Sequence, residues 1–225
     1  ENTVNWQENA KMLRVDFLID TAAETVGCDI QFGTIYRTTK SNIASEAIQY
    51  EVCAHKYVEL REGNRSVALL NDCKYGHRVK DNLISLNLLR ATSFPATGID
   101  HGTHTFRYAL YTGKGGSELN KLSYIFNNPP VAVHASDDFS FAEVDSKNII
   151  IETVKPGEES GVILRMYESG GVKTSAKVIL NSFVKRAFIC DLMENESEDL
   201  QILDNTVTLS FRQFEIHTVK LIIAE

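Results

Sequence analysis

Apolar and polar residues alternate with a period of two along much of this chain, and that period is the one a β-strand imposes. Leu13, Val15, Phe17 and Ile19 alternate with Arg14, Asp16, Leu18 and Asp20. Phe106, Tyr108 and Leu110 alternate with Arg107, Ala109 and Tyr111. Val162, Leu164 and Met166 alternate with Ile163, Arg165 and Tyr167, and Val207, Leu209 and Phe211 with Thr206, Thr208 and Ser210. Such segments put one face in a core and leave the other to solvent. The runs Val67–Leu70, Leu83–Leu89 and Ile149–Val154 are apolar for longer, which predicts strands covered on both sides. Many short strands without alternating long helices predict an all-β chain of antiparallel sheets packed face to face.

One segment departs from that period. Leu119, Leu122, Ile125 and Phe126 recur at helical spacing, Ser117 is placed to cap, and Asn127-Asn128-Pro129-Pro130 stops the pattern. This predicts one short helix from about Glu118 to Phe126. The stretch from Pro129 to Asp138 reads as a connector. Seven short strands then follow, at Phe139–Phe141, Ile149–Val154, Val162–Tyr167, Lys177–Leu180, Ala187–Leu192, Val207–Phe211 and Phe214–Ile223. They predict a small self-contained sandwich over residues 136–225, behind a larger β region over residues 1–135. That first region shows no tidy closure, as expected if its opening strands lie upstream of Glu1. The acidic stretch Glu194-Asn-Glu-Ser-Glu-Asp199 reads as a solvated loop.

The 225 residues carry a net charge of −7, and an acidic surface repels phosphate backbones, so no nucleic-acid partner is expected. No run reaches the ~18 apolar residues of a membrane helix. The opening Glu1-Asn-Thr-Val lacks the basic start and apolar core of a secretory leader. Cys28, Cys53, Cys73 and Cys190 form no C-x-x-C pair. They read as reduced thiols serving as small hydrophobes, which favours the cytoplasm.

Candidate chemistry is sparse. Asp100-His101-Gly102-Thr103-His104 has two histidines and a carboxylate of zinc-ligand type. Positions i and i+3 of a strand point to opposite faces, so a turn with a local bond from His104 is expected and no metal. Gly113-Lys114-Gly115-Gly116 lacks phosphate-loop spacing, and nothing selects a catalytic carboxylate pair from the thirty acidic residues. The densest polar block is Asn71-Asp72-Cys73-Lys74-Tyr75-Gly76-His77, directly after the apolar strand Val67-Ala68-Leu69-Leu70. Asn71, Asp72, Lys74 and Tyr75 carry groups suited to sugar hydroxyls. The same block reads equally as a turn in which Asn71 and Asp72 bond their own backbone.

Val67-Ala-Leu-Leu-Asn-Asp-Cys-Lys-Tyr-Gly-His77 resembles the ALLND-x-KYG signature of bacterial and fungal family 38 α-mannosidases. The likeness continues through Leu86-Asn-Leu-Leu-Arg-Ala91, Pro95, Asp100, Gly102, His104, Phe106 and Tyr108-Ala-Leu-Tyr111. Upstream it takes in Val4-Asn-Trp6, Lys11, Leu13, Phe32-Gly33 and Val52-x-Ala54-His55. Downstream it takes in Val162–Glu168, Asp191-Leu-Met-Glu194 and Phe214-Glu-Ile-His-Thr218. The resemblance implies a galactose-mutarotase-like β-supersandwich portion followed by a C-terminal β-sandwich. It also implies a retaining enzyme acting on terminal α-linked mannose. The carboxylate nucleophile and the zinc ion would belong to an N-terminal domain outside this chain. No catalytic residue and no cofactor is therefore carried over to this segment. Its expected partners are that catalytic domain and an oligosaccharide, with a homo-oligomer left open. A free-standing carbohydrate-binding module and a mutarotase-like enzyme are the alternatives. The first needs an exposed aromatic platform, and the second a paired histidine and acid in one cleft.

Overall fold

The computed structural model describes residues 1–134 and 139–223. The chain divides into two compact units, Glu1–Pro130 and Val131–Glu225. The boundary expected between residues 135 and 136 lies outside the described residues.

The first unit contains β1 (Asn2–Trp6), β2 (Met12–Leu18), β3 (Thr25–Ile30), β4 (Gly33–Thr38), α1 (Ala44–Ala47), β5 (Val52–Cys53), β6 (Tyr57–Glu62), β7 (Arg65–Asn71), β8 (Gly76–Lys80), β9 (Leu83–Arg90), β10 (Gly102–Phe106), β11 (Tyr108–Gly113) and α2 (Ser117–Asn127). All its strand pairs are antiparallel, in the sheet orders β11-β7-β6-β3-β4 and β2-β9-β8-β5, with β1 and β10 as a separate ribbon. The alternating residues do what their period requires. Val26, Cys28, Val58, Leu60, Val67 and Leu69 from the larger sheet meet Ile84, Leu86 and Leu88 from the smaller one in a single core. Leu13, Val15 and Phe17 pack at its margin. Burying a Leu or Ile there contributes about 1.5–3 kcal/mol each.

The run Val67–Leu70 is indeed covered on both sides. Its other face, through Ala68 and Leu70, packs with Tyr57 and with Leu119 of α2. The helix begins one residue earlier than expected, and Gly116 rather than Ser117 occupies its N-cap, so no side chain caps it. Its buried face is Leu119, Asn120 and Ser123, with Asn120 Oδ1 accepting from the Tyr57 hydroxyl at 2.7 Å. Leu122 and Ile125 remain exposed. The strand expected across Phe106 to Tyr111 breaks at Arg107, into β10 and β11, because the Arg107 amide donates to the Asp72 side chain instead of to a ladder.

The second unit contains β12 (Ala142–Val144), β13 (Ile149–Pro156), β14 (Val162–Glu168), β15 (Thr174–Leu180), β16 (Val184–Cys190), β17 (Glu196–Leu200), β18 (Ile202–Leu203), β19 (Thr206–Phe211) and β20 (Ile216–Ile223). They form two antiparallel sheets, β12-β15-β19-β18 and β13-β14-β20-β16-β17. Their inward residues, including Leu164, Met166, Val178, Leu209, Phe211 and Leu221, share one core. Three expectations are corrected. The first strand lies at Ala142–Val144 rather than at Phe139–Phe141. The run Ile149–Val154 is not covered on both sides, since Val154 is 54% exposed. The acidic stretch is not a loop, because Glu196–Leu200 pairs with β16 as an edge strand. It is an edge strand rich in exposed acidic residues, a composition that discourages further strand pairing.

The buried Glu168 carboxylate organises the turn after β14. It accepts from the amides of Gly170 at 2.6 Å, Gly171 at 2.8 Å, Val172 at 3.1 Å and Phe214 at 3.1 Å, and from Asn148 Nδ2 at 2.8 Å. A buried carboxylate is tolerable only with such a full set of donors.

Candidate functional site

The polar block follows β7, and its first residue explains its shape. Asn71 ends the strand fully buried. Its Nδ2 donates to the His55 carbonyl at 2.7 Å, and its Oδ1 accepts from the Lys74 amide at 2.8 Å. That second bond closes the turn that leads into β8. The Asn71 amide donates to the Lys56 carbonyl at 3.1 Å, while the Asn71 carbonyl accepts from Asn127 Nδ2 at 3.1 Å. The end of α2 is thereby tied to the end of β7.

Asp72 is held from the other side. Its Oδ2 accepts from Arg107 Nε at 2.8 Å and its Oδ1 from the Arg107 amide at 3.1 Å. Arg107 Nη2 reaches the Phe126 carbonyl at 3.1 Å, with the guanidinium 5.1 Å from the Phe126 ring. Burial alone would raise the Asp72 carboxyl. The Arg107 bonds, with a weaker one from the Cys73 thiol, outweigh it and hold the group below the usual carboxylate range. Asp72 is therefore an ion-paired tie of the turn.

Lys74 and Tyr75 carry the polar groups left available. Tyr75 is 52% exposed, and its ring lies 5.2 Å from that of His55. Its carbonyl accepts from the Ala54 amide at 3.1 Å, which ties its backbone to the neighbouring segment. Lys74 Nζ sits 5.4 Å from the Phe106 ring centroid and makes no ion pair among the described residues. Gly76 follows because the next strand passes close by: a Cβ there would meet Asn87 Nδ2 at 3.1 Å. His77 lies beneath, fully buried, with Nε2 3.5 Å from Asn71 Nδ2. Burial pushes its pKa down to about 4, so it is neutral at ordinary pH.

Behind the turn, Lys56 Nζ lies 3.2 Å from Asp29 Oδ2 and 4.5 Å over the Tyr124 ring. Burial raises the Asp29 carboxyl despite Lys56. Arg107, Asn127, Lys56 and Asp29 were not singled out as site residues from sequence. Arg107 fell in the solvent-facing set of a strand alternation, which gave no signal of a partner 35 positions away.

The Asp100–His104 motif runs from a turn into β10, which starts at Gly102. His104 Nε2 bonds the Asp100 carbonyl at 2.8 Å, His101 Nε2 bonds the Glu8 carbonyl at 3.2 Å, and Gly102 adopts φ +136°. Among the described residues no group of three or more His, Cys, Asp or Glu is placed to hold a metal ion. No helix is long and apolar enough to cross a membrane. Cys28 and Cys190 are buried, but Cys53 and Cys73 are exposed, so only two of the four thiols serve as core hydrophobes. The turn as a whole offers an ammonium, a phenol and an aromatic face on a rigid base. Such a set can orient hydroxyls. It presents no free carboxylate for proton transfer.

Comparison with known proteins agrees in order along the chain. Residues 1–97 match the Glycosyl hydrolases family 38 C-terminal domain, and residues 148–219 match the Glycosyl hydrolases family 38 C-terminal beta sandwich domain. Alpha-mannosidase 2C1 of Homo sapiens is 34% identical over 98% of this chain, which spans 22% of that protein. Alpha-mannosidase G of Dictyostelium discoideum is 33% identical over 99% of the chain, again 22% of its own length. A crystal structure of an alpha-mannosidase from Enterococcus faecalis V583 superposes with a TM-score of 0.79 at 18% identity, covering 98% of this chain and 26% of that one. That likeness shows the fold, and the chain spans about a quarter or less of each protein it matches.

Proposed function

Because the chain belongs to glycosyl hydrolase family 38, as part of its C-terminal β region, we propose that it is the non-catalytic end of an α-mannosidase and that its Lys74–Tyr75 turn borders the substrate pocket. The intact enzyme hydrolyses terminal α-linked mannose with retention of configuration. Its nucleophile and its zinc belong to the catalytic domain, which is this segment's principal partner. The oligosaccharide is the other.

The observation that carries the reading is the turn after β7. Asn71 and Asp72 are spent on holding it, and that leaves Lys74 and Tyr75 presented from a rigid base. Lys74 donates to a sugar hydroxyl, and Tyr75 supplies a hydroxyl and a ring edge. Asp72 acts through the turn, as does Asn71, so of the four residues expected from sequence only Lys74 and Tyr75 are assigned to the sugar directly. The free cysteines support a reducing compartment, so we place the enzyme in the cytoplasm. A free-standing sugar-binding module is less well supported, since the Trp6 Nε1 is buried without a partner rather than presented to solvent.

The direct test is hydrolysis of an aryl α-mannoside by the 225-residue chain beside the intact enzyme. The chain alone is expected to give no turnover above the uncatalysed rate. Turnover that survives repurification would contradict the assignment.

A further inference from the structure

On the first unit, away from the Asn71–Tyr75 turn, a recess of about 190 Å³ opens between the β4–α1 connection and β8. Lys40, Arg78 and Lys80 converge on it, together with Tyr50 and Ser41. Arg78 and Lys80 are two apart on β8 and so share one face of the sheet. Among the described residues neither has a carboxylate partner. The Arg78 guanidinium instead lies 4.3 Å from the Tyr50 ring centroid. A contact with a ring face does not consume an arginine's N–H donors, so the fork stays available for a planar or tetrahedral anion.

Two carboxylates stand at the recess: Glu46 lines it with one oxygen bonded to backbone, and Asp81 pairs with Lys40. Glu46 Oε2 accepts from the amides of Asn42 at 2.8 Å and Ile43 at 3.3 Å. Asp81 Oδ1 holds Lys40 Nζ at 3.2 Å. Two cations without acceptors thus stand together on a chain whose net charge is −7. The recess is smaller than the roughly 300–1,000 Å³ of a drug-sized ligand site. It has room for a phosphate with at most a small organic group.

We propose that this recess binds a phosphate group, as inorganic phosphate or as a small phosphate monoester. Arg78 grips two oxygens side by side, Lys80 and Lys40 supply point charge, and the Ser41 hydroxyl donates to a third oxygen. The assignment does not depend on the Lys74–Tyr75 turn.

The test is titration of the 225-residue chain with sodium phosphate against sodium chloride at matched ionic strength, followed by amide chemical shifts. Saturable shifts confined to residues 38–41, 46–50 and 78–81 are expected with phosphate and not with chloride. Arg78→Met keeps the apolar stem over Tyr50 and should weaken binding at least about tenfold, as should Lys80→Met at its exposed position. The rest of each variant's spectrum reports that the fold is intact. A parallel titration with a hexose 6-phosphate separates the sources. Tighter binding assigns the ester, and equal binding assigns the free ion. Shifts that chloride reproduces, or that survive both substitutions, would overturn the proposal.

Discussion

Asp72 shows how a side chain of apparent binding chemistry is claimed by its neighbours. The sequence offered a carboxylate in a polar block, equally fit for a sugar hydroxyl or for a turn. What decides between them is Arg107, 35 positions later, and no local pattern announces that contact. Replacing Arg107 with Met removes both side-chain bonds while keeping the backbone one. Partial exposure screens the pair, so the loss should be about 1–2 kcal/mol, seen as a lower midpoint in urea. Asn71 was legible as a turn residue, because an Asn after a strand commonly bonds two or three residues ahead. His77 was not, since nothing in its neighbours foretells complete burial. Its folded pKa is depressed from 6.5 to about 4. Above the unfolded value both states are neutral, and the group has no effect on stability with pH. Between 6.5 and about 4 the unfolded chain takes up a proton that the folded chain refuses, so stability falls as pH falls. By pH 4 the difference is on the order of 3 kcal/mol. Unfolding free energies measured from pH 7 to 4 should therefore drop less steeply in His77→Leu than in the parent chain. Parallel slopes would show that His77 is not the group responsible.

Strands with a clean two-residue period were readable as elements because one face meets a core and the other meets water. Val207–Phe211 is the plainest case, with Val207, Leu209 and Phe211 all buried. Two kinds of element escaped that logic. The edge strand β17 has no apolar face to betray it, and its residues are nearly all exposed. It exists because β16 offers a ladder, while its charges stop the next strand from joining. Glu198→Val with Asp199→Thr should thus promote self-association, read by light scattering, with little change in the melting temperature of dilute protein. The helix α2 is the converse. Its apolar spacing was visible, but Leu122 and Ile125 lie outside while Asn120 and Ser123 lie inside. A polar network with Tyr57 sets that rotation, and hydrophobic periodicity carries no information about such a partner.

For the molecule as a whole, the chain divides into two compact units, Glu1–Pro130 and Val131–Glu225. Each unit has its own core. Function was legible only through family likeness, since a sandwich hosts many activities and its chemistry lies in grafted loops. We propose above all that the turn after β7 meets the substrate in the intact enzyme. The most direct measurement is steady-state kinetics of that enzyme with Lys74→Met and Tyr75→Ala, each paired with a melting temperature. A lost charge-assisted bond of about 1.5–3 kcal/mol predicts kcat/KM lower by about ten- to a hundredfold for Lys74→Met, at an unchanged melting temperature. Wild-type kinetics in both variants would contradict the claim and leave the turn a purely structural device.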